Sequence, residues 1–123
     1  GKVERHDGGW AVGPQTYDFE GTPTKLNAWH RDQVTVTPPG ARVVASNDFC
    51  TNAALIYGDA AFSVQAHPEF GDDFVDGLIR TRGPGVVPAP LMEAALEQLG
   101  QPNDSATIAA RIAAFFKQTR QTP

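Results

Sequence analysis

The spacing of apolar residues changes once along this chain, at Asp72, and that change restricts its architecture more than any other feature. Before it, apolar residues come in short, strand-length runs: KVERH, GGWAVGPQTYDF, the alternating VTVT at 34–37, ARVVA at 41–45, AALIYG and AFSVQAH. The turn-forming PPG at 38–40 predicts that 34–37 pairs with 42–45. AALIYG and AFSVQAH, separated by GDA, read as neighbouring strands buried on at least one face. After Asp72 the period becomes helical. Phe74, Val75, Leu78 and Ile79 line one face, with Asp72 or Asp73 as the cap. Leu91, Met92, Ala95, Leu96 and Leu99 repeat the pattern between Pro90 near a first turn and Gly100 past an end. A last helix starts at the cap Ser105 and turns Ile108, Ile112, Phe115 and Phe116 inward. One domain is expected over 1–123, strand-rich over 1–70 and helical over 72–120.

Charge and composition exclude several function classes. Ten basic against fourteen acidic residues give a net charge of −4, with nothing basic enough to grip a phosphate backbone, so no nucleic-acid partner is expected. No apolar stretch reaches the roughly 20 residues that span a bilayer, and GKVERHDGG lacks the apolar core of a signal peptide, so no membrane partner is expected. The single cysteine, Cys50, rules out an internal disulfide framework and suits a reducing cytoplasm. Glycine and proline cluster at 38–40 and 83–90 with no Lys-Ser/Thr behind them, so neither forms a phosphate loop. Trp10 and Trp29 are expected in the core.

The segment SVQAHPEF, 63–70, carries the chemistry. A residue before proline is pushed toward extended backbone, so His67 is expected to continue the AFSVQA strand to its tip. Residues two apart in a strand share a face, with Cα atoms about 6.6 Å apart. Glu69 then reaches one imidazole nitrogen and fixes the tautomer, leaving the other nitrogen as a base. A solvated surface pair has the same spacing, so His-Pro-Glu alone decides nothing.

The motifs around it are more specific. WHRDQV at 29–34, PPGA at 38–41, SND at 46–48 and VQAHPEF at 64–70 stand in the order found in the C-terminal half of the class I glutamine amidotransferase domain, which the chain resembles over residues 1–70. The resemblance implies an α/β, flavodoxin-like fold of which only the C-terminal part is present. That family's nucleophilic cysteine sits on a Gly-x-Cys-x-Gly turn, which this sequence does not contain. The resemblance therefore implies a half-site: His67 as general base, Glu69 as its orienter, and the cysteine in a missing N-terminal half. It also implies glutamine as substrate, bound near His30 and Arg31, and an ammonia-accepting synthetase as a possible partner. No cofactor or metal is implied, and the fragment alone is expected to be inactive.

Three other readings stay open on the residues. In NDFCTNAAL, Asp48 can cap a helix whose first turn holds Cys50, which makes a small Cys-His hydrolase. His6 with Asp7, His30 with Asp32 and His67 with Glu69 supply the donors of a non-haem iron oxygenase. A catalytically inactive binding or regulatory module of the same fold is the third.

Overall fold

A computed structural model describes residues 1–118. Seven strands precede three helices, as the change of period predicts: β1 (Lys2–Arg5), β2 (Ala11–Phe19), β3 (Thr22–His30), β4 (Asp32–Val36), β5 (Arg42–Ser46), β6 (Ala54–Tyr57) and β7 (Ala61–Val64), then α1 (Asp72–Arg82), α2 (Ala89–Gln98) and α3 (Ser105–Lys117). Residues 119 and 120, expected to be helical, lie outside the described residues. Five strands form one sheet in the order β3-β2-β5-β6-β7, and β1 pairs with β4 in a separate ribbon. All of these pairs are antiparallel. For β2 with β3, β5 with β6 and β6 with β7 that follows from the connections, which are too short for the crossover of a dozen residues or more that a parallel pair needs. No helix among the described residues is long and apolar enough to cross a membrane.

The predicted pairing of β4 with β5 is not formed. β4 joins β1, and β5 lies between β2 and β6, so PPG connects two sheets instead of closing a hairpin. The hairpin that exists was hidden. β2 turns into β3 through Glu20 and Gly21, both left-handed at φ 50° and 93°, the two-residue turn that matches strand twist. Asp18 Oδ1 closes it by accepting from the Gly21 N–H at 2.6 Å. Pro23 obscures the strand that follows, and it is tolerated because β3 is an edge.

Alternation along β2 and β3 feeds two apolar clusters. Tyr17, Phe19 and Leu26 join Val44, Ala45, Ala54 and Ile108 of α3. Val12 and Trp29 join Val75 and Ile79 of α1 and Ala95 of α2. Helix ends differ in detail from expectation. Gly71, not Asp72 or Asp73, is the N-cap of α1, because the Asp72 carboxylate is engaged by Asn27 Nδ2 at 3.1 Å and the Gly100 N–H at 2.8 Å. Asp104, not Ser105, precedes α3, and its Oδ2 accepts from the Lys25 N–H at 2.7 Å. Phe115 is buried as predicted, while Phe116 is 69% exposed, since two full turns bring residue 115 back over Ile108 and the next position swings away from that face.

Candidate functional site

The β7 strand stops at Val64, where its pairing with Ala54 ends, three residues short of His67. His67 is therefore not the tip of a strand. It opens a tight turn instead: the Phe70 N–H donates to the His67 carbonyl at 3.0 Å, with Pro68 at the second position, where its fixed φ favours such a turn. The turn still brings the predicted pair together. His67 Nδ1 lies 3.2 Å from Glu69 Oε2, so the carboxylate accepts the Nδ1 proton and the Nε2 lone pair remains as a base. The imidazole stacks on the Phe70 ring with centroids 4.0 Å apart and planes 8° from parallel. The Glu69 side chain is 65% exposed and that of His67 33%, so the pair sits at the surface, open to a second body.

His30 and Arg31 stand at the end of β3 and beyond it, in the wall of an open cleft of about 630 Å³ shared with Arg5, Trp10, Trp29, Asp32 and Gln65. Gln65, two residues before His67, links this wall to the turn, and His67 itself stands off the lining. His30 Nδ1 lies 3.1 Å from the Asp32 carbonyl, which can only accept, so Nδ1 carries the proton. Its Nε2 is a buried acceptor without a partner, and Arg31 Nε is a buried donor in the same condition. Burial above all holds the His30 imidazole below its ordinary value, and repulsion from His67 adds to that, while the Asp32 carbonyl works against it. His30 is thus neutral near pH 7. The two tryptophans pack on the α1 and α2 cluster, as expected, and also face the cleft, with ring centroids 5.6 Å apart.

Cys50 is 2% exposed, and it does not open a helix. Asn47, not Asp48, organises the segment, its Oδ1 accepting from the Phe49 and Cys50 N–H groups at 3.1 and 2.6 Å in a side-chain-closed turn. Burial pushes the thiol up to about 11, the reverse of what a nucleophile needs. His6 is held by the Gly8 N–H and lies on Phe49, and among the described residues no three His, Cys, Asp or Glu side chains gather to hold a metal ion. The Cys50 hydrolase and the iron site both lose their geometric basis.

Sequence reasoning missed Asn27. It is fully buried in β3, its carbonyl accepts from the His67 N–H at 2.9 Å, and its side chain reaches the Phe70 carbonyl at 3.1 Å. The signal for it was a lone amide inside the run LNAWH.

Comparison with known proteins first gives the class. The fold is that of glutamine amidotransferases: 99% of this chain superposes on 58% of the glutamine amidotransferase of Methylobacillus flagellatus, with a TM-score of 0.71 and 20% identity. A glutamine amidotransferase from Thermotoga maritima matches 94% of this chain over 53% of its own length, with a TM-score of 0.61 and 18% identity. The particular relatives found in sequence are narrower. The chain is 34% identical over 69 residues to a subunit of the glutamine-hydrolyzing GMP synthase of Methanothrix thermoacetophila, a match covering 50% of this chain and 38% of that protein. The corresponding GMP synthase subunit of Methanocaldococcus jannaschii is 30% identical over 73 residues, covering 53% of this chain and 39% of that protein. The chain thus spans well under half the length of these curated relatives. No protein-family model matches it. The resemblance to glutamine amidotransferases, and the fold it implied, are borne out.

Proposed function

We propose that this chain carries the general-base half of a glutaminase site, which hydrolyses the side-chain amide of glutamine to glutamate and ammonia with a cysteine from polypeptide outside these residues. The observation that carries the reading is the contact between His67 Nδ1 and Glu69 Oε2 at 3.2 Å on a proline-fixed turn at the surface. His67 Nε2 takes the thiol proton, and the thiolate attacks the carboxamide carbon. The tetrahedral adduct collapses as the C–N bond breaks, with the His67 proton passing to the leaving nitrogen, so ammonia departs and a glutamyl thioester remains. His67 then deprotonates water, which adds to the thioester and releases glutamate and the thiol. In this reading His30 and Arg31 bind glutamine from the cleft wall. The relatives' description as one subunit of a glutamine-hydrolyzing synthase supports a synthetase partner that receives the ammonia. A reducing cytoplasm suits the thiolate this chemistry requires.

The test combines the purified chain with a polypeptide bearing a Gly-x-Cys-x-Gly turn from such a relative and follows ammonia release from glutamine. The mixture is expected to be active, neither part alone is, and His67→Ala lowers the rate by about 10²–10⁴-fold. Equal activity of His67→Ala sinks the reading. Release by the chain alone that disappears with Cys50→Ala returns the chemistry to Cys50.

A further inference from the structure

The fully buried Asn27 makes three hydrogen bonds that bracket the His67 turn. Its carbonyl accepts from the His67 N–H at 2.9 Å, at the first residue of the turn. Its Nδ2 donates to the carbonyl of Phe70 at 3.1 Å, at the last residue, and to Asp72 Oδ1 at 3.1 Å, in the first turn of α1. Both amide hydrogens are therefore used on acceptors, and the amide cannot be reversed without setting its oxygen against a carbonyl and a carboxylate. The consequence is that Asn27 Oδ1 is buried with no partner. An apolar side chain of the same shape removes that orphan but takes the donor from the Phe70 carbonyl and from Asp72 Oδ1, so two bonded acceptors stand against one unpaired oxygen. What its two donors hold is the Phe70 backbone, on whose ring the His67 imidazole lies, and the helix that follows.

We propose that Asn27 is a positioning residue for His67: by fixing the first N–H and the last C=O of the turn, it sets where the imidazole meets Glu69 and which way Nε2 faces. The proposal rests on the reading of His67 as a general base. A purely structural role is the competing one, since the bond to Asp72 ties β3 to α1.

Two variants separate the roles. Asn27→Leu removes both donors and the orphaned oxygen. The exchange Asn27→Asp with Asp72→Asn rebuilds the contact between 27 and 72 with its polarity reversed, lets residue 72 still accept from the Gly100 N–H, and leaves the Phe70 carbonyl without a donor. With the nucleophile-bearing polypeptide present, both variants are expected to lower kcat about 10–100-fold with KM within about twofold, as for a misplaced base. In the chain alone, ¹⁵N-resolved NMR of the His67 ring is expected to show the Nδ1-protonated tautomer in the wild type and its loss in both variants. The exchange buries a carboxylate against the Phe70 carbonyl, so its melting temperature is expected to fall, and its kcat and ring tautomer are read well below that temperature, where it is folded. Wild-type kcat and an unchanged ring tautomer in the exchange variant overturn the proposal and leave Asn27 as a tie between strand and helix. If Asn27→Leu does not fold, the exchange decides by itself. If the wild-type mixture releases no ammonia, the general-base reading fails, and the ring tautomer still decides whether Asn27 sets the pair.

Discussion

His30 and Cys50 are both buried, and burial gives them opposite signatures in pH. His30 is held neutral in the fold and takes a proton once unfolded below its ordinary value of 6.5. The unfolded chain then binds more protons, so this contribution to stability is present above about 6.5 and is lost as the pH falls. Melting temperatures measured from pH 7 to pH 5 should decline, and His30→Gln should flatten the decline; an equal slope in both proteins contradicts it. Cys50 works from the alkaline side. Its thiol ionises near 9 when unfolded and about 11 when folded, so the folded state holds the extra proton and stability falls as the pH rises between those values. The loss amounts to about 2–3 kcal/mol at most, at 1.36 kcal/mol per unit. Burial also pushes the Tyr17 phenol up, which adds to the same decline at still higher pH. Buried and held as the thiol, Cys50 should be labelled by a disulfide reagent far more slowly in the native chain than in the denatured one. Cys50→Ala should leave ammonia release by the reconstituted mixture unchanged.

At the scale of elements, the contact of α2 with β2 depends on one missing side chain. Gly13 has φ +79°, and a Cβ there would stand 2.6 Å from Ala95 Cβ, too close for carbon atoms. Gly13→Ala should therefore cost about 2–4 kcal/mol, adding left-handed strain to overpacking, as a shift in the urea midpoint with little change in slope. Ala95→Gly in the same background should recover part of the loss if the clash is the cause. The helices were legible in the sequence because Val75, Ile79, Ala95 and Ile108 repeat at helical spacing and their burial follows directly from it. Strand partners were not, because pairing is a long-range choice. The alternation in VTVT gives a strand whichever sheet accepts it, and only tertiary packing sends it to β1. β3 was masked by Pro23, which an edge tolerates, by polar Lys25, whose backbone N–H meets Asp104, and by Asn27, whose amide meets Phe70 far along the sequence. The same holds for the candidate site. His67 and Glu69 were found because they are two apart, and the pairing was right although the backbone between them turns instead of extending. Asp72 was read as a cap because its partners, Asn27 and Gly100, are invisible from the local sequence.

Taken as a whole, the molecule is held across its sheet by a few side chains at the hairpin end. Glu20 accepts from Arg111 of α3 and, at 3.5 Å, from Arg42 of β5, so the β2–β3 turn, the next strand and the last helix meet at one carboxylate. Arg111 also lies over the Phe19 and Phe62 rings at 5.7 and 5.4 Å. Arg111→Ala should loosen α3 through lost packing as well as lost charge, by about 1–2 kcal/mol, with earlier hydrogen exchange in α3 than in β2. Among the described residues β3 and β7 each have one strand neighbour in the five-stranded sheet. The outer edge of β3 is occupied by Asp104 at Lys25 and by the His67 N–H at the Asn27 carbonyl, so it is the edge of β7 that favours pairing with another chain; sedimentation of the purified chain should show association that grows with concentration, weakened by Ser63→Lys on β7.

The ribbon of β1 and β4 stands apart from the five-stranded sheet and supplies Arg5 and Asp32 to one wall of the cleft. Its connection to β5 passes through Gly40, which has φ +84° and open space where a side chain would project. Insertions at that tip would lengthen the loop without entering either apolar cluster. Such a tip is a natural graft point: it leaves the Val36 end of the ribbon, opposite the end where Arg5 and Asp32 line the cleft, so engineers can add to it while the cavity wall and the histidine turn keep their form.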